Sequence, residues 1–122
     1  MTNPFRGELE VNLGSKKYKT RLTVDSCIKL ETALNMSLVK LAQRLSEGDL
    51  MLSEISVILT SAIKGGGNDV TQDQINKLVY ENGLSEGLRC CGEILANVLS
   101  GGSANDEETT EKKPEEGEQK MI

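Results

Sequence analysis

The sequence predicts a small α+β domain, predominantly α, in which an N-terminal β-hairpin precedes a bundle of about five short helices. Two periodic patterns support this prediction, a period of two over residues 8–24 and helical spacing over residues 25–99. Alternation indicates strands, whereas apolar residues recurring every three or four positions indicate one face of a helix. Aromatic residues make up only 2% of the chain. The core must therefore be built from aliphatic side chains, which pack readily between helices.

The predicted hairpin turns at Gly14-Ser15, between two alternating segments. Glycine can supply the positive φ of a two-residue type II′ turn, and such a turn fixes the register of the two strands. In that register apolar residues share one face, and opposite charges meet on the other face, where they stabilise the pairing. The expected cross-strand pairs are Leu13–Lys16, Val11–Tyr18, Leu9–Thr20, Glu10–Lys19 and Glu8–Arg21.

Five helical segments follow, each with a start or stop signal and one apolar stripe. Short one-sided helices are unstable alone, so these segments must pack on one another and on the hairpin. The expected signals are a cap at Asp25 and a break at Asn35-Met36, a cap at Ser37 and a stop at Gly48, a cap near Ser53, a capping box of Thr71 and Gln74 with a stop at Asn82-Gly83, and a last helix over residues 85–99.

Glycines mark two further places. Gly65-Gly66-Gly67 is interpreted as a flexible turn between helices, with a hinge as the alternative, rather than a phosphate loop, because a helix precedes it and Asn68-Asp69 follows. Gly87 and Gly92 lie inside the last helix, where each costs roughly 1 kcal/mol relative to alanine. They favour close packing of another helix, within this chain or, as the alternative, from a partner.

The chain divides into a folded domain over residues 1–102 and an acidic tail over residues 103–122. The tail holds seven acidic residues and three lysines, so it carries −4 of the formal net charge of −5. It has no Leu, Val or aromatic residue, and its one Ile is the last residue. Because it has almost no apolar surface to bury, we expect the tail to be disordered.

Composition argues against several classes of partner. The folded part is nearly neutral, which disfavours nucleic-acid binding, since that normally needs a basic face. The one basic cluster consists of Lys16, Lys17, Lys19 and Arg21 and is interpreted as a solvated face; docking of the acidic tail on it is the alternative.

No hydrophobic run of membrane-spanning length or signal-peptide pattern is present. With three cysteines that make a poor disulfide framework, we expect a cytoplasmic protein.

Reactive groups are scarce. The sequence has no histidine, the commonest general base and zinc ligand. Cys90-Cys91 is not the C-x-x-C redox motif, and we expect Cys91 in the core with Cys90 at its margin. We therefore predict no catalytic, cofactor-binding or metal site, and a protein that is not an enzyme.

Several short segments follow one another in a recognisable order along the chain. They are Arg6-Gly7-Glu8, Leu13-Gly14 followed by Tyr18, Leu30-Glu31 leading to Ser37-Leu38-Val39, residues 41–48, Ile58-Leu59 before the glycine loop, and residues 79–84 (VYENGL). Their succession resembles the gene-transfer-agent branch of phage tail assembly chaperones. The resemblance spans about residues 6–100, and the tail lies outside it.

The resemblance implies a chaperone that binds the long, helix-rich tail tape measure protein before the tail tube forms around it, and that is absent from the finished particle. A small bundle with apolar grooves suits that task. Self-association is a further possibility. A structural tail or head-completion component is the alternative, and a helix-turn-helix regulator with residues 71–82 as recognition helix is a third. The expected contact residues, where the core does not use them, are Ile55, Ile58, Leu59, Leu88 and Leu95.

Overall fold

A computed structural model describes residues 8–101 and confirms the predicted order of a hairpin followed by five helices. The predicted acidic tail lies outside the described residues. No helix within residues 8–101 has the length and apolar character needed to cross a membrane. The elements are β1 (Glu8–Leu13), β2 (Lys16–Arg21), α1 (Val24–Leu34), α2 (Leu38–Ser46), α3 (Leu52–Gly65), α4 (Gln72–Asn82) and α5 (Leu84–Leu99).

The hairpin has the predicted antiparallel register in all five expected pairs. Gly14 has a positive φ of 68° and Ser15 does not. This is the combination that a type II′ turn requires, with a positive φ at the first central residue only. Val11, Leu13 and Tyr18 are buried on the face that meets the bundle. The alternation of the sequence therefore fixes both the pairing and the side of the hairpin that is covered.

Two helix starts differ from the prediction. The N-cap of α1 is Thr23, whose hydroxyl accepts a hydrogen bond from the backbone N–H of Ser26 at 3.1 Å. Asp25 lies instead in the first turn, where its negative charge favours the helix dipole. The N-cap of α3 is Met51 rather than Ser53, and its backbone N–H donates to the Glu54 carboxylate at 2.8 Å.

The other predicted signals are confirmed. Ser37 caps α2, and the capping box of Thr71 and Gln74 begins α4 with hydrogen bonds of 2.9 and 3.2 Å. Asn35 ends α1 in the left-handed conformation, with a φ of 53°. Gly48, with a φ of 70°, follows α2, and the backbone N–H groups of Gly48 and Asp49 donate to the carbonyls of Leu45 and Arg44, as in a Schellman motif.

Helix α3 lies at the centre of the molecule. It packs against α1, α4, α5 and β2, while α5 also contacts α2, α4 and β1. Because neighbours surround α3 on several sides, most of its length is buried rather than a single stripe. Its fully buried apolar residues are Ile55, Ile58, Leu59, Ala62 and Ile63.

The glycine segment after α3 is a tight contact with the hairpin, which corrects its interpretation as a loose turn. A Cβ atom added at Gly65 would overlap the carbonyl oxygen of Arg21, and one at Gly66 would overlap that of Lys19. The Asn68 side chain then donates to the Lys19 carbonyl at 2.9 Å. The two glycines are needed because the backbone passes directly over β2.

Candidate binding surface

Most of the predicted contact residues belong to the core. Ile55, Ile58, Leu59 and Leu95 are at most 1% exposed, and Leu88 is half-buried. The prediction was limited to residues that the core does not use, and that limit removes four of the five. Helical spacing placed these apolar side chains on one face of their helices, but it did not reveal how many neighbouring elements surround α3.

Other apolar side chains face solvent instead. Within the described residues the large exposed ones are Val24, Ile28, Val39, Met51, Tyr80, Leu84 and Leu99. Tyr80 is 78% exposed, and it lies next to the buried Val79 on α4. The sequence signal for Tyr80 is an aromatic residue that lies off the apolar stripe of its own helix, and the predicted contact residues did not include it.

Tyr80 lines a mostly apolar groove between the start of α3 and the outer face of α4. The groove has a volume of about 260 Å³ and is lined by Leu52, Asn76, Lys77, Tyr80 and Glu81. We call it the α4 groove. Leu52 and the tyrosine ring supply its apolar surface, while Lys77 and Glu81 offer one charge of each sign. Such a combination suits the apolar face of a helix with polar residues at its margins.

A second groove, of about 400 Å³, is shared by α4 and the hairpin. Lys77 and Glu81 line both grooves, so this part of α4 forms a ridge between them. The second groove is more polar than the α4 groove. Its lining residues are Lys16, Tyr18, Asp69, Val70, Gln74, Lys77, Leu78 and Glu81.

An ion pair holds the α3 wall of the α4 groove. The Arg44 guanidinium donates to both oxygens of Glu54, at 2.8 and 3.0 Å, and also lies 3.5 Å from Asp49. Glu54 is buried, and its hydrogen bonds from Arg44 hold the pKa of its carboxyl below the usual value. The same carboxylate accepts from Met51, so it fixes the chain just before Leu52. This network connects α2 to the edge of the groove.

The end of α4 is held against the hairpin turn. A Cβ atom added at Gly14 would lie 2.5 Å from Oδ1 of Asn82, so only glycine leaves room for that amide. The Asn82 amide also donates to the carbonyl of Leu78 at 2.9 Å. Gly83 follows with a φ of 96° and separates α4 from α5. These contacts set the position of α4 relative to the hairpin.

Helix α5 holds the free edge of β1. The Asn12 carbonyl accepts hydrogen bonds from the Arg89 guanidinium at 2.6 Å and from the Cys90 thiol at 3.1 Å. Glu86 and Glu93 each pair with Arg89 at 2.9 Å. Cys90 is fully buried by this contact and does not lie at the margin of the core, which corrects the prediction for it.

The three thiols are poorly suited to nucleophilic chemistry. Burial raises the pKa of Cys27, Cys90 and Cys91, which keeps them protonated at neutral pH. In the described part of the chain, no group of three or more metal-ligating side chains comes together. The features of the described surface that can bind a partner are therefore its exposed apolar side chains and its charged side chains.

Comparison with known proteins identifies the family. No curated protein and no solved structure matches the chain. A family model described as "Phage tail tube protein, GTA-gp10" matches residues 6–101, which include every helix and strand of the described chain. The chain therefore belongs to this family and is a phage tail protein of the gene-transfer-agent type.

Proposed function

We propose that this chain is a non-enzymatic tail assembly chaperone that binds the helical tape measure protein during tail morphogenesis. Family membership supports a partner among phage tail proteins. The observation that carries the proposal further is the α4 groove, where a 78% exposed tyrosine stands beside an apolar wall. An unassembled helical protein exposes apolar stripes, and a groove of this kind can cover one of them reversibly.

The hairpin favours a helical partner over an added strand. At the free edge of β1 the Asn12 carbonyl already accepts from Arg89 and Cys90. At the free edge of β2 the Lys19 carbonyl accepts from Asn68, and the Gly65-Gly66 backbone lies over the strand. An edge occupied in this way is a poor template for strand addition. Contact through helix grooves is therefore the mode that we propose.

Co-expression tests this proposal. The gene for the neighbouring large helical tail protein is expressed with the full chain, with a Tyr80→Ser variant or with a Val39→Ser variant. Val39 is 68% exposed on α2 and does not line the α4 groove, which makes it a matched control. Both side chains are well exposed, so neither substitution removes core contacts.

We expect the wild type and Val39→Ser to keep the tape measure protein soluble and to be recovered with it, whereas Tyr80→Ser loses most of this binding. Interface tyrosines often cost 2 kcal/mol or more when truncated, which is roughly a thirtyfold loss of affinity. A tape measure protein that stays insoluble with the wild-type chain would refute the chaperone role. Equal binding by both variants would refute the assignment of the α4 groove.

A structural tail component that stays in the particle is the second candidate. The description of the family as a tail tube protein favours it. Mass spectrometry of purified particles separates the two roles, because a chaperone acts in the cytoplasm of the bacterial host and is left out of the finished tail. Stoichiometric recovery of this chain in particles would support the structural role.

A regulatory role is disfavoured by charge. Helix α4, the candidate recognition helix, carries one basic residue, Lys77, against Asp73 and Glu81. Phosphate contacts need a helix with an excess of positive charge. We therefore propose no nucleic-acid partner for this chain.

A further inference from the structure

The outer face of the hairpin carries the main concentration of positive charge in the described chain. Lys17, Lys19 and Arg21 alternate with the buried Tyr18 and Thr20 along β2, which places them on the strand face away from the core. We call these three residues the cationic face. Alternate residues of a strand lie about 6.7 Å apart, so the three charges on β2 form a regular row.

The cationic face is only partly neutralised. Lys19 and Arg21 stand opposite Glu10 and Glu8 on β1, but Lys17 stands opposite Asn12, which has no charge. Lys17 and Lys19 are exposed, so an anion can reach their ammonium groups. A carboxylate is a strong acceptor for such groups, because hydrogen bonds between two charged partners are about twice as strong as neutral ones.

An acceptor of the right charge is present in the same chain. Residues 106–111, with the sequence DEETTE, carry four carboxylates and no basic residue. The sequence places this acidic stretch only a few residues beyond α5. We propose that residues 106–111 dock on the cationic face of the same molecule. This inference goes beyond the proposed function and does not depend on it.

The connecting chain is long enough for this contact. Cys90 on α5 donates to Asn12 on β1, and the nine residues from Cys90 to Leu99 extend about 14 Å along the helix. The neighbouring strand β2 is only about 5 Å further across the hairpin. The ten residues from Gly101 to Glu111 can span about 35 Å when extended. A short tether of this kind also gives a high effective concentration, which compensates for weak individual ion pairs.

Amide spectra of the full chain test the contact. Wild type is compared with a Glu107→Gln/Glu108→Gln variant and with a control variant, Glu47→Gln/Asp73→Asn. Both variants lose two negative charges, but the control removes them from exposed positions at the end of α2 and the start of α4. The salt dependence is measured on the wild type up to about 1 M NaCl, where the Debye length is about 3 Å.

We expect the amide resonances of residues 17, 19 and 21 to shift in the Glu107→Gln/Glu108→Gln variant, in the same direction as in wild type at high salt. The control variant should leave them in place, and a Lys17→Gln/Lys19→Gln variant should shift the resonances of residues 106–111. Unchanged β2 resonances in the Glu107→Gln/Glu108→Gln variant would overturn the proposal. Shifts that vanish on tenfold dilution would assign the contact to a second copy and would also overturn it.

Discussion

Helix α5 contains two glycines whose replacement by alanine should have different effects on stability. At Gly87 an added Cβ would lie 2.9 Å from Cγ2 of Ile55 and 3.0 Å from Cγ1 of Val79. At Gly92 the nearest atom is Cδ2 of Leu45, at 3.4 Å, which is an ordinary contact. Gly87→Ala and Gly92→Ala therefore change the same helix in the same way and differ only in packing.

The magnitudes follow from two terms. Replacing glycine by alanine inside a helix stabilises the folded state by roughly 1 kcal/mol at either position. At Gly87 the methyl group must also displace Ile55 and Val79, two β-branched side chains that are fully buried. Overpacking of this kind costs about 1–3 kcal/mol. Gly92→Ala should therefore be about 1 kcal/mol more stable than wild type, and Gly87→Ala about 1–3 kcal/mol less stable than Gly92→Ala.

Thermal unfolding followed by circular dichroism measures this difference. For a domain of this size, 1 kcal/mol corresponds to roughly 4–8 °C in Tm. The two variants should be separated by at least about 4 °C, with Gly92→Ala above wild type. Because the helix propensity term is common to both variants, the separation reports on packing alone. If Gly87→Ala melts at or above Gly92→Ala, the close approach of α5 to α3 and α4 is not as described.

Three further outcomes are expected. Glu54→Gln should destabilise the protein at pH 7, because the hydrogen bonds from Arg44 lower the pKa of Glu54 in the folded state. The stability that this carboxylate contributes is present above its unfolded pKa and is lost as the pH falls through the lower folded pKa. The urea midpoints of wild type and variant should therefore differ at pH 7 and converge in acid. Thr71→Ala removes an N-cap and should cost about 1 kcal/mol by urea unfolding, whereas an unchanged midpoint would mean that the capping box does not stabilise α4. Alkylation of the native protein at pH 8 should modify the half-buried Cys27 before Cys91, and mass mapping of equal modification would contradict the burial of Cys91.

Local signals in the sequence predicted the elements well. The Gly14-Ser15 turn and the alternation around it determined the hairpin register because both depend on a few adjacent residues. The same holds for the capping box of Thr71 and Gln74. The N-cap of α1 was predicted at Asp25, but it is Thr23. Both residue types are good N-caps, so the local sequence did not decide between them, and the helix begins at the candidate that lies nearer to the end of β2.

The binding surface was harder to predict because burial depends on contacts between distant segments. The spacing of Ile55 and Ile58 is the same whether the apolar stripe of α3 is exposed for a partner or buried in the core. Only the arrangement of α1, α4 and α5 around α3 determines that it is buried. The roles of Gly65 and Gly66 likewise depend on β2, more than forty positions earlier in the chain. Of the two interior glycines, Gly87 was interpreted correctly, since it does mark close internal packing, whereas Gly92 makes only an ordinary contact with Leu45.

The unequal anchoring of the helices has a consequence for local opening. Helix α1 has one buried residue, Leu30, and packs mainly against α3, whereas α3 and α5 are held from several sides. Segments with few buried contacts open with a smaller free energy than the whole domain. Backbone amides of α1 should therefore exchange with deuterium well before those of α3. Such opening would uncover apolar side chains of α3 without unfolding the remaining helices.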